Sequence, residues 1–255
     1  MFRFLRRQAV LRQPFPTAWL SVLEREVPWY VHLPPELQVR LQTRIQIFLG
    51  EKAFVGCGGL EVTDRMRVVI AAQACRLELH HTPTHFPDCQ TLFVYPGAFV
   101  SAFTRVLPGG VVQQEPVIRV GESWHRGSVV LAWDAVEAAL YEDPGGRNVV
   151  LHEFAHQLDG GDGPPDGVPL LRDRAAYARW TRVMGAALER LRRALWFGFA
   201  PIDPYAATSP PEFFAVTTEL YFEVPEQLRA FSPDVFALLE DYYGALPAAS
   251  SQLLN

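Results

Sequence analysis

Lysine is nearly missing from this 255-residue chain: among 23 basic residues Lys52 is the one lysine, and the rest are arginine. The imbalance reads as genomic base bias, and it takes catalysis by a lysine amine out of consideration. Cysteine is scarce too. Cys57, Cys75 and Cys89 are widely separated and form no CxxC pair, which excludes a disulfide framework and fits the reduced thiols of a cytoplasmic protein. Positive charge is in deficit: a net charge of −5 and a pI near 5.8 argue against a nucleic-acid binder, which presents a basic face. No apolar run approaches the length that crosses a bilayer, so no membrane partner is expected. Repeats and low-complexity blocks are absent, and prolines are scattered rather than gathered into a linker.

What is present is 49% hydrophobic content with 20% charge, enough over this length for one large core or for two lobes around a cleft. The economical organisation is a basic N-terminal tail over 1–15, a single domain over 16–245 and a C-terminal tail over 246–255. The N-terminal segment carries Arg3, Arg6, Arg7 and Arg12 without an acid. Pro14 and Pro16 follow where a signal peptide would place its apolar stretch. It is expected to be mobile, and open to contact with an acidic partner or a membrane surface.

Periodicity predicts helices over Thr17–Glu26, from Pro35 to about Lys52, and from Asp64, read as the N-cap, to about Leu77. Strand candidates rich in β-branched residues come next: Thr91–Tyr95, Val111–Val120 and Ser128–Ala132. Helical patterns resume at Trp133–Tyr141, through the stretch ended by Gly160-Gly161, at Arg172–Trp196, from Pro210 to about Glu223 and at Pro233–Tyr243. The class is α+β, mainly helical, with a small, largely antiparallel sheet.

The most informative stretch is His152-Glu153-Phe154-Ala155-His156. Side chains four apart on a helix stand on one face, so both imidazoles can reach one ion, with Glu153 turned toward the same opening. Zinc takes such ligands in a tetrahedral shell, keeps a place for water and lowers that water's pKa to about 7, while a neighbouring carboxylate acts as general base. The apolar flank Asn148–Leu151 sets the helix in a core, where two imidazoles and a carboxylate without a metal would be costly.

A third ligand must come from elsewhere. Glu212 opens a helix after Pro210-Pro211, where the N-terminal dipole favours a carboxylate and the small Ala215 allows close approach to the first helix. Asp162 has the spacing of the last metzincin ligand, but Asp159 stands where that pattern wants glycine, and Met184 lies inside a helix rather than a methionine turn. Asp159 reads as an acceptor for an imidazole N–H or as a helix-end cap. Tyr205, seven residues before Glu212, has two readings: a packing aromatic, or a phenol that donates to a developing oxyanion.

The segments NVVLHEFAHQLD, GESWHRGSVVLAWDAV and DPYAATSPPEFFAV resemble the Mlc titration factor A family of bacterial zinc metallopeptidases, from about Gly50 to Tyr243. That family comprises glucose-regulated peptidases whose catalytic core is similar to that of anthrax lethal factor. The resemblance implies a gluzincin-like, zincin-type fold and one Zn2+ per chain on His152, His156 and Glu212. It also implies Glu153 as base, Tyr205 as the oxyanion-stabilising phenol, a cytosolic aminopeptidase acting on peptides, and a transcriptional repressor as possible partner. The competing reading is a zinc-containing binding module that sequesters a regulator; a secreted protease is disfavoured by the unpaired cysteines.

Four smaller expectations complete the reading. Ser128–Ala132 is either core sheet or an exposed edge for substrate. His81, His85 and Cys89 repeat at four-residue intervals, but Pro83 and Pro87 break the helix a metal site would need, leaving a surface loop. His125 is a turn residue or a substrate contact. Trp180, Trp196, Phe197 and Phe199 are expected to pack on the core.

Overall fold

The computed structural model describes residues 7–8, 10–80, 83–106, 112–119, 121–124, 127–141, 145–159 and 165–247. The elements are α1 (Thr17–Glu26), α2 (Pro35–Glu51), β1 (Ala53–Gly56), α3 (Asp64–Arg76), β2 (Thr91–Tyr95), β3 (Phe99–Val106), β4 (Val112–Arg119), β5 (Gly121–Trp124) and β6 (Ser128–Ala132). They continue with α4 (Trp133–Tyr141), α5 (Val149–Asp159), α6 (Arg174–Trp196), α7 (Pro210–Glu223), α8 (Pro225–Phe231) and α9 (Pro233–Tyr243).

The helices fall where periodicity puts them, with α8 an additional short one. The N-cap of α3 is Thr63, not Asp64: its hydroxyl accepts the Met66 N–H at 3.3 Å. The sheet corrects the expected topology. Its order is β1-β2-β6-β5; β1, β2 and β6 run parallel, and β5 alone pairs antiparallel, with β6. The helix α3 is the crossover that makes β1 and β2 parallel. Of the long strands, β4 lies within the expected Val111–Val120, whereas β3 was not expected from the sequence; the two pair only with each other, as a separate antiparallel ribbon. Ser128–Ala132 is therefore interior sheet between β2 and β5, with Val129–Ala132 buried, and the edge strands are β1 and β5.

The core is continuous across the helices. Every residue of α7 from Phe213 to Phe222 is buried, so this helix runs through the middle and packs along α5. Beneath α5, Phe154 meets Phe86 at 4.7 Å and Phe48 at 5.6 Å between ring centroids, an aromatic cluster that anchors the helix from behind. The basic segment before Thr17 is tied to the core, where Arg7 pairs with Glu51 at 2.7 Å and the Gln13 carbonyl accepts from Gln46 Nε2 at 3.0 Å.

Candidate metal centre

The helix that carries both histidines starts at a defined point. The turn before it holds Gly145 and Gly146 at positive φ, and a Cβ on Gly146 would lie 2.5 Å from Val224. The Asn148 carboxamide oxygen then accepts the N–H groups of Val150 and Leu151 at 3.2 Å each, satisfying two of the donors a helix start leaves over. Glu212 sits in the first turn of α7, where the Ser209 hydroxyl caps its N–H at 3.4 Å and the helix dipole favours its charge.

Packing of α5 on α7 brings these side chains together. One Glu212 oxygen lies 2.9 Å from His152 Nε2 and 3.4 Å from His156 Nε2, and the three potential ligand atoms all fall within 4.8 Å of one another. Ligands about 2.0–2.1 Å from a tetrahedral zinc are about 3.3 Å apart, so the two measured separations bracket what the ion requires. Two imidazoles and one carboxylate also form a donor set that zinc accepts.

A residue that the sequence reading passed over completes the cluster. Glu219 Oε1 takes His152 Nδ1–H at 2.7 Å while its other oxygen accepts the Asn148 backbone N–H at 2.6 Å. This selects the tautomer that leaves His152 Nε2 free to ligate. Only a carboxylate offers two acceptors at once. The signal was available: Glu219 is seven residues after Glu212, two turns along the same helix face. Behind it Glu223 bonds Asn148 Nδ2 at 3.2 Å and Arg76 at 3.0 Å. The Arg76 guanidinium lies 4.5 Å from the Trp29 ring centroid and 4.8 Å from that of Phe222. A Glu219→Gln variant is expected to bind zinc about 10–100-fold more weakly, as removal of such supporting partners does; competition against a fluorescent chelator measures it.

The electrostatics follow from burial and neighbours. Glu153 is buried, which pushes its carboxyl up to about 7 against the pull of the two imidazoles. Glu212 goes the other way: hydrogen bonds and charge from both histidines overcome burial and hold it well below the usual carboxylate range. Burial would lower His152, but the Glu219 charge and the bonds to both glutamates raise it. Gly121 of the edge strand β5 lies on the Glu153 side chain, where an added Cβ would come within 2.5 Å of the carboxylate. No larger residue fits there without moving that side chain.

Tyr205 occupies a short 3-10 turn, Pro204–Ala207, with its ring centroid 6.0 Å from that of His152. Asp203 accepts the Tyr205 N–H at 2.9 Å and in turn holds Arg147, just ahead of α5, at 2.7 Å. That exposed ion pair contributes little stability; its effect is to tie the tyrosine turn to the start of the histidine helix.

Other candidates resolve differently. Asp162, Gly160, Gly161, His81 and His125 lie outside the described residues. Asp159 accepts the backbone N–H groups of Asp166, Gly167 and Val168 at 2.9–3.1 Å and so closes the loop after α5 instead of orienting an imidazole. His85 and Cys89 are buried rather than on a surface loop, and burial, then the Arg7 charge, lowers His85 to about 4. Of the four aromatics assigned to the core, Trp180 is buried, whereas Trp196, Phe197 and Phe199 face solvent. A half-open cavity of about 760 Å³ beyond Gln157 and Leu158 is lined by none of the three candidate ligands. Among the described residues no helix is long and apolar enough to cross a membrane.

The chain is 40% identical over 240 residues to an uncharacterized protein of Synechocystis sp., covering 93% of this chain and 87% of the relative. It is 33% identical over 220 residues to Mlc titration factor A of Klebsiella pneumoniae, covering 85% and 81%, and 30% identical over 236 residues to the protein of that name in Cronobacter sakazakii, covering 91% and 87%. Residues 2–244 match the description glucose-regulated metallo-peptidase M90, so the match includes the arginine-rich start as well as the stretch from Gly50. With a histidine pair, a carboxylate and a buried glutamate already assembled between α5 and α7, this chain belongs to the M90 family of glucose-regulated metallo-peptidases.

Proposed function

We propose that the chain is a zinc-dependent peptidase of aminopeptidase type, with His152, His156 and Glu212 holding one Zn2+ and Glu153 as general base. The observation that carries this reading is a buried glutamate beside three ligand-type side chains, since a structural site has no use for a base. When bound, zinc supplies Lewis acidity that polarises the scissile carbonyl and acidifies the attacking water. The protein's own residues do the remainder. Glu153 takes a proton from the water and passes it to the departing amine, a role suited by a carboxyl poised near 7. Tyr205 donates its phenolic hydrogen to the oxygen that gains negative charge. The edge strand β5, lying on Glu153 through Gly121, offers backbone groups along which an extended peptide aligns.

Hydrolysis of amino-acid p-nitroanilides, abolished by a chelator and restored by zinc, tests the reading; no hydrolysis by zinc-loaded protein would refute it. A Tyr205→Phe variant should keep its zinc and lose about 10²-fold in kcat, the cost of one oxyanion donor.

A second reading is favoured by the name of the relatives: Mlc titration factor A suggests capture of a regulator, here a transcriptional repressor, by a zinc-containing binding module. Both activities can reside in one chain. A cytoplasmic location is proposed from the three free thiols, and a single catalytic domain from the shared core over 16–245.

A further inference from the structure

The C-terminal end of α6 carries the least expected surface of the molecule. Trp196 is 86% exposed, Phe197 83% and Phe199 65%, so three large aromatics stand in water within four positions. At 150–250 Å² each, they present on the order of 500 Å² of apolar surface, the size at which a patch on a monomer is usually functional. Fractions this high describe a projecting tip, not a flat face. Gly198 between the phenylalanines has positive φ, and a Cβ placed on it would meet nothing within 4 Å. Apart from the indole N–H, the tip offers no side-chain hydrogen-bonding group.

Charge on the helix that ends at the tip is mostly positive, although Arg192 pairs with Glu189 and Arg179 with Asp241. The helix leading to it carries Arg174, Arg179, Arg182, Arg190, Arg192 and Arg193 against the single acid Glu189, in a chain whose net charge is −5. Arg190, Arg192 and Arg193 are exposed in the last two turns. A protein interface would ask for a flat patch with roughly one hydrogen bond per 100–200 Å². A fluid lipid surface needs no matching shape, accepts Trp and Phe at its headgroup boundary and attracts arginine when it is anionic.

We propose that Trp196, Phe197 and Phe199, framed by Arg190 and Arg193, form a peripheral docking tip for an anionic lipid surface. Arg192, one turn before Trp196, donates its Nε–H to the Ala207 carbonyl at 3.1 Å, so the end of α6 packs beside the segment carrying Tyr205. Docking therefore brings the Tyr205 side of the proposed active site toward the membrane.

Flotation of the full-length, zinc-loaded protein with phosphatidylcholine vesicles, with or without phosphatidylglycerol, tests this. Binding is expected only with the anionic lipid and should weaken in high salt. It should fall at least about tenfold in the triple variant Trp196→Ser, Phe197→Ser, Phe199→Ser. Arg193→Gln should cost about fivefold, the loss of one basic contact worth about 1 kcal/mol. The variants should keep zinc content and p-nitroanilide turnover. Quenching of tryptophan fluorescence by brominated lipid gives a readout on the unaltered protein. Absent binding, equal binding to neutral vesicles, an unaffected triple variant, no quenching, or conversion of a dimer to a monomer by the triple variant would each overturn the proposal.

Discussion

A Glu153→Gln protein is expected to retain its zinc and to lose at least about 10³-fold in kcat on amino-acid p-nitroanilides, within the span attributed to a general base. Gln keeps the shape that packs against Gly121 but cannot take a proton. The same substitution should stabilise the metal-free protein at alkaline pH. The Glu153 carboxyl is raised from its ordinary 4.5 to about 7, so the folded state binds this proton more tightly than the unfolded chain. Stability from this group therefore falls as pH rises from 4.5 to 7, and above 7 the full penalty of a buried anion is present. The amide carries no such penalty. Thermal midpoints of both proteins at pH 5 and pH 8, with zinc content and kcat, check both halves. Full activity in a zinc-loaded Gln variant would remove Glu153 from the chemistry.

The second large effect concerns the proposed ligand that arrives sixty positions later. Glu212→Gln should reduce zinc from one per chain to a small fraction after dialysis against metal-free buffer, and peptidase activity should fall with it. The carboxylate supplies the one negative charge among the three proposed ligands, and an amide oxygen is a poor substitute. Zinc should raise the melting temperature of the parent protein, because a ligand at 1,000 times its Kd adds about 4.1 kcal/mol; the variant should show little shift. Retention of stoichiometric zinc and the same melting shift in the variant would place the third ligand elsewhere.

Much of this arrangement was legible in the chain. The helix bearing His152 and His156 showed in its spacing and apolar flank, and α7 showed in Pro210-Pro211-Glu212, because local periodicity and helix-start preferences act over a few residues. Glu219 escaped notice since its role depends on α7 crossing α5 so that a second turn faces the first histidine. The sheet was misjudged for a related reason. β2, β4 and β6 were read from the sequence but β1, β3 and β5 were not, and a strand segment does not reveal its partner: β4 pairs with β3 instead of joining β2 and β6. Trp196, Phe197 and Phe199 were assigned to the core on composition alone; the helix carrying them ends beyond the layer that could cover them.

The sequence by itself determined the chemistry available: a histidine pair one helical turn apart, a glutamate between them, a first-turn acid on another helix, a single lysine and no paired cysteine. The tertiary structure decided which groups meet. It set Glu212 against both imidazoles, turned Glu219 onto His152, laid Gly121 on Glu153 and left an aromatic tip in water. Contacts between residues sixty positions apart come from how buried helices pack, and that packing is a property of the whole core rather than of any local stretch.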